Sequence, residues 1–110
     1  MSFYLFHGRY STDALRALVD EPQDREKIAG EMMSAMGAKL HHLFFCFGEE
    51  DVIALIEAPS DEVMAACALV VGASGTMAGG ATTKLMTSQE AMAAMTAAKA
   101  GRSSYKPVGG

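Results

Sequence analysis

The chain has 110 residues and a mass of 11.6 kDa, enough for one domain. Half of it is hydrophobic and 20% is charged, which excludes a disordered chain, and neither a repeat array nor a collagen-like pattern is present. The net charge is −4, and the nine Lys and Arg residues are scattered. No basic stripe exists to draw in nucleic acid or an anionic membrane.

Small or flexible residues carry the apolar content: nineteen alanines, eleven glycines, nine methionines and no tryptophan. A domain of this size leaves roughly a third of its unfolded surface exposed. With few charges to cover that surface, a second protein chain is expected to meet part of it. The stretch Met1–Arg9 lacks the basic lead and apolar run of a signal peptide. Val63 to Thr83 carries no charge, but its apolar part ends at Val71 before a series of glycines. That is short of the roughly 20 apolar residues a spanning helix needs. Cys46 and Cys67 form no CxxC pair and are expected to be bland buried thiols. A cytoplasmic location is the expectation.

Residues 3–10 read as a strand, with Ser11-Thr12-Asp13 a cluster suited to capping a helix. The helical region covers about 12–36, dented at Asp20-Glu21-Pro22, and Pro22 suits the first turn of a fresh segment. Ile28, Ala29, Met32, Met33 and Met36 form its buried stripe, and Gly37 its stop. Strands are expected at 39–47 and 51–58, joined by a tight loop at Gly48-Glu49-Glu50. Ser60 caps a helix running to about Val71. A glycine-rich connection then leads to a short strand at 81–86, and Thr87 and Glu90 have the spacing of a capping box for a helix over 88–100. The order β-α-β-β-α-β plus a C-terminal helix is the signature of a ferredoxin-like α+β sandwich. Its four-stranded antiparallel sheet is expected in the order 4-1-3-2, with helices on one face. The domain is expected to cover 1–101, followed by a tail at 102–110.

Strand periodicity predicts what the uncovered face carries. Val52, Ala54, Ile56 and Ala58 suit the helices, so Glu57 faces away, and His7 and Arg9 of the first strand join it. If the loop is Glu49-Glu50, His42 lies opposite Glu57; if it is Gly48-Glu49-Glu50, His41 does. Two imidazoles and a carboxylate are therefore expected on an otherwise apolar sheet. Three readings compete: a polar network within a dimer joint, an acid–base or small-molecule site, or a facial metal triad. No ligand spacing within a single segment supports the metal.

The glycines at 72–80 lack the G-x-x-x-x-G-K-[ST] arrangement of a phosphate loop, and no motif calls for a cofactor. The methionines at helical spacing read as packing residues. The last helix has Lys99 as its only charge after Glu90, whereas a surface helix normally has a charged outer face. It is expected to pack on its own domain or between subunits, with the tail around Tyr105 and Pro107 as a clasp.

The chain resembles the GYD domain family. The matching features are Gly8-Arg9-Tyr10-Ser11 before a helix, the entry Gly37-Ala38-Lys39-Leu40, the hairpin Gly48-Glu49-Glu50-Asp51 and the strand end Glu57-Ala58-Pro59. Leu85-Met86-Thr87 and Tyr105-Lys106-Pro107 extend the likeness over nearly the whole chain. Glu50 stands where the family's pattern has tyrosine. The resemblance implies the dimeric α/β-barrel group, in which two ferredoxin-like sheets close face to face, and leaves the chemistry open. The leading expectation is a homo-oligomeric accessory or structural protein with His7, His42 (or His41) and Glu57 lining the joint. The alternative is a small-ligand-binding protein or enzyme, monooxygenase- or isomerase-like, with His7 or His42 as acid–base and Arg9 or Tyr10 positioning a polar group. A ring or filament joined through helix 88–100 and the tail is a third.

Overall fold

A computed structural model describes residues 1–110. β1 (Ser2–Tyr10) runs into Ser11, whose hydroxyl accepts the Ala14 N–H and caps α1 (Thr12–Asp20). α2 (Arg25–Ala35) starts later than the proline suggests, because Asp24 is its cap, accepting the Lys27 N–H. Gly37, with φ +86°, ends it in the left-handed region that favours glycine. β2 (Lys39–Phe45) and β3 (Val52–Ala58) follow, then Ser60 caps α3 (Asp61–Ala73). β4 (Met77–Leu85) leads through the expected Thr87–Glu90 capping box into α4 (Ser88–Gly101), and a short 3₁₀ turn spans Arg102–Ser104. None of these helices is long and apolar enough to cross a membrane.

The strands lie antiparallel in the order β2-β3-β1-β4, the expected 4-1-3-2 arrangement read from its other edge. The core sits on one face of this sheet: Tyr4, Ala54, Ile56 and Ala58 meet Met33 of α2 and Met64 and Cys67 of α3. Four residues joined across the sheet in this way, two of them alanines, let both helices approach closely. α1 buries no residue and lies at the periphery. Glu26 of α2 accepts the Leu43 N–H at 2.8 Å, covering part of the exposed edge of β2.

Two expectations need correction. β4 begins at Met77 and takes in Gly79 and Gly80, in place of the expected glycine-rich connection and short strand at 81–86. The pair stays in the strand because Gly80 lies opposite Gly8, where the backbones come close. A Cβ on Gly80 would stand 2.7 Å from the His7 carbonyl oxygen and 3.0 Å from the Gly8 Cα. The β2–β3 loop also differs, since β2 ends at Phe45 and the loop covers residues 46–51.

Only 11 residues are buried, and the chain exposes 7653 Å², about 1,800 Å² more than a compact monomer of this mass. Its radius of gyration is 18.0 Å and its longest extent 59 Å, against about 13 Å expected for the radius of a compact domain of this length. α4 accounts for much of this. Beyond the 3₁₀ turn after it, α4 makes no substantial contact with another element, and Ala91 is its one residue that is not exposed.

Gly80→Ala is expected to destabilise the fold by about 1–3 kcal/mol, because backbone atoms block the methyl group. Gly30→Ala in α2, where the nearest atom would be 3.8 Å away, is expected to stabilise it by about 0.5–1 kcal/mol. Thermal melts of the two variants check this, and equal midpoints would contradict it.

Candidate functional site

The open face of the sheet is built by alternation. Phe3, Leu5, His7 and Arg9 of β1 lie opposite Glu57, Leu55 and Ile53 of β3 on one side and Leu85, Thr83, Ala81 and Gly79 of β4 on the other. β2 adds Lys39 opposite Glu57, His42 opposite Leu55 and Phe44 opposite Ile53. The result is a surface with an apolar centre, polar groups at its two ends, and Thr83 and His42 at the outer edges of its middle row.

A β-bulge interrupts β2 between Leu40 and His42. Neither register expected from a short loop forms, and His42 is correspondingly displaced from Glu57. The bulged residue His41 reaches Glu57 instead, with Nε2 2.9 Å from Oε1. Its ring centroid is 5.6 Å from that of Phe3. His42 stands two positions along the strand, exposed, with its ring centroid 5.8 Å from that of Phe44.

His7 does not join this pair. It lies opposite Ile53 whereas Glu57 lies opposite Phe3, four residues away, or about 13 Å along the strand. His7 has a partner that the sequence reading missed: its Nδ1 is 3.5 Å from Oε1 of Glu50 in the β2–β3 loop. That loop is clamped to β1 by the Asp51 N–H donating to the Gly8 carbonyl at 2.8 Å and by the Tyr10 N–H donating to Asp51 Oδ2 at 3.0 Å. Oε2 of Glu50 is shut off from solvent and has no hydrogen-bond partner. The site is therefore two separate His–carboxylate pairs, one at each end of an apolar face. Nowhere do three His, Cys, Asp or Glu side chains converge as a ligand set.

Arg9 is exposed on the open face. Tyr10 lies on the helix side, buried and with its ring centroid 5.6 Å from that of Phe45. Burial pushes its phenol above the ordinary value. The same cause raises the Cys67 thiol, in keeping with a packing role.

A second polar group escaped the sequence reading because its members are far apart in the chain. The Tyr4 hydroxyl donates to Asp61 in the first turn of α3, and Lys84 of β4 stands 2.9 Å from the same carboxylate oxygen. Tyr4 and Lys84 lie opposite one another in the β1–β4 register. The hydrogen bond from Tyr4, followed by that from Lys84, holds Asp61 below its ordinary value. Asp61 in turn raises both Tyr4 and Lys84, chiefly through those hydrogen bonds. These groups flank the mouth of a groove between α3 and β4, about 530 Å³ in volume, walled by Met64, Ala65, Ala68 and Leu69.

A depressed carboxylate stabilises the fold above its unfolded value and loses that contribution as pH falls through the folded one. Asp61→Asn is therefore expected to lower the melting temperature at pH 7, with the gap closing on acidification below about pH 4. The raised Tyr4 and Lys84 contribute below about pH 10, and their contributions fade as pH rises further. Melts of both proteins from pH 2.5 to 7 check this; a pH-independent gap would contradict it.

Comparison with known proteins gives the fold and the family. The crystal structure of MtbAldR superposes with a TM-score of 0.57 at 12% identity, covering 78% of this chain. This chain spans 53% of the length of MtbAldR, and the likeness is one of fold. No curated protein sequence matches the chain. The GYD domain pattern matches residues 4–95, which include all of the sheet but the first two residues of β1, both His–carboxylate pairs and the first part of α4. By that match the chain belongs to the GYD domain family.

Proposed function

We propose that this protein is a homo-oligomeric accessory or interaction protein, in which the open sheet face of one copy closes on that of another. The supporting observation is the face itself. Leu5 and Leu55 lie opposite each other at its centre, and Phe3, Ile53, Phe44 and Leu85 surround them, with no helix of the chain over them. Phe44 alone is 63% exposed. Contiguous apolar surface of this kind marks a contact site. A standard interface removes about 800 Å² per partner, well within the excess area of this chain.

In that arrangement the His41–Glu57 and His7–Glu50 pairs stand at the rims of the joint, where they select register and orientation more than they add affinity. The same pairs favour a second reading, in which a small, largely apolar ligand lies between the sheets and a polar group on it exchanges a proton with a His–carboxylate pair. Tyr10 has no part in either, because it faces the helices.

Leu55→Lys is expected to convert the sheet-face dimer to its separated chains while leaving the helical circular dichroism intact. Light scattering at micromolar concentration reads the mass, and a wild-type protein that is already monomeric there would remove the proposal. Native mass spectrometry separates the two readings. A dimer with the mass of two chains supports the first; a bound adduct lost in His41→Ala supports the second.

A further inference from the structure

The groove between α3 and β4 is longer than its widest part. A second concavity of about 300 Å³, lined by Phe6, Val71, Gly72 and Met77 among others, shares Ala68 and Thr82 with the first. The two form one trough along α3, from Asp61 and Lys84 to Gly72 and Met77. Along its rim α3 presents Ala65, Leu69 and Gly72 at helical spacing, with Glu62 continuing the same row at the acidic start of the helix, and Leu69 is 73% exposed.

α4 presents a matching stripe. Met92, Met95 and Lys99 recur at three- and four-residue steps, with Arg102 following in the turn beyond the helix, and both methionines are exposed. The charges of α3 are the acids Asp61 and Glu62 at its start, whereas α4 carries Glu90 in its first turn and the base Lys99 in its last, with Arg102 just beyond. The helices are also similar in length, about 20 Å each.

The direction of the chain decides whose trough α4 suits. β4 ends beside the start of α3, as the contact between Lys84 and Asp61 shows. Folded back from Thr87 onto its own trough, α4 would run parallel to α3. Glu90 would then stand by Asp61 and Glu62, and the two positive helix ends would lie side by side. The helix of a two-fold-related copy meets no such restriction. Run antiparallel, it brings Lys99 and Arg102 to Asp61 and Glu62, lays Met92 over Leu69, and opposes the helix dipoles favourably.

We infer that α4 is an exchanged arm that docks in the α3–β4 trough of a second copy of this chain, antiparallel to α3. The contact is reciprocal about a two-fold axis, each copy giving a helix and receiving one. It is separate from the sheet-face joint, and the excess exposed area accommodates both.

Two sets of variants of the full chain test it. Carrying Met92→Cys and Leu69→Cys together, the oxidised protein is expected to run as a covalent dimer on a non-reducing gel, while each single variant does not. A cross-link at monomer mobility would assign the trough to the chain's own helix. A dimer from Met92→Cys alone would mean that α4 pairs with α4, and no cross-link would mean another occupant; any of these overturns the inference. In the Leu55→Lys background, which removes the sheet-face contact, Glu62→Lys and Lys99→Glu are each expected to weaken self-association by roughly two- to fivefold per pair. The combined variant is expected to restore it. Failure of restoration overturns the arm, whereas survival of the cross-link in Leu55→Lys keeps it apart from any failure of the sheet-face dimer.

Discussion

The alternation along β3 is the constraint on which the rest of the structure depends. β3 lies between β1 and β2, so its side chains define both faces of the sheet. Val52, Ala54, Ile56 and Ala58 point to the helices and are almost completely buried, while Ile53, Leu55 and Glu57 point the other way. A slip of one residue would put Glu57 among the methionines of α2 and α3 and expel Ile56. The penalty for burying that carboxylate unpaired is several kcal/mol (~2–7 on transfer scales for a neutral polar group, more for a charge), so the two faces cannot exchange.

From that constraint follows the separation of the two histidine pairs. Each carboxylate is held by a different part of the backbone: Glu57 by the ladder of β3 and Glu50 by a loop fastened to β1 through Asp51. They occupy opposite ends of the open face because Phe3 and His7 do. The apolar centre between them keeps the imidazoles from sharing one carboxylate, and the face presents two modest electrostatic marks in place of one concentrated site.

Much of this was legible in the sequence. The alternation of β1 and β3, the caps at Ser11, Ser60 and Thr87, and the order of elements all rest on local patterns, and they lead to the observed sheet. The position of Glu57 on the open face followed from the same reasoning. Its partner is narrowed by the sequence to His41 or His42, and His41 takes that place through the bulge in β2, not through either expected register, both of which assumed an unbroken strand and a short loop. The Glu50 contact depends on how a loop folds over a neighbouring strand, and the Tyr4–Asp61–Lys84 group on three segments meeting; neither leaves a local trace. The strand at Gly79 and Gly80 is hidden in the sequence for a related reason. Glycine weakens a strand by its own propensity, and only the close passage of β1 makes it the residue that fits.

The bulge at His41 also explains a spacing that otherwise makes no sense. Leu40 and Leu43 both face the helices, opposite Ile56 and Ala54, although residues three apart in a regular strand point to opposite sides. The extra residue resets the phase, so β2 is two short half-strands of opposite parity joined at a histidine. Lengthening or shortening β2 by one residue on either side of that joint is then not equivalent to doing so at the joint itself. Removing the bulged position would leave a continuous strand in which one half must turn its leucine to the wrong face. The histidine that meets Glu57 is thus also the point at which the strand keeps count.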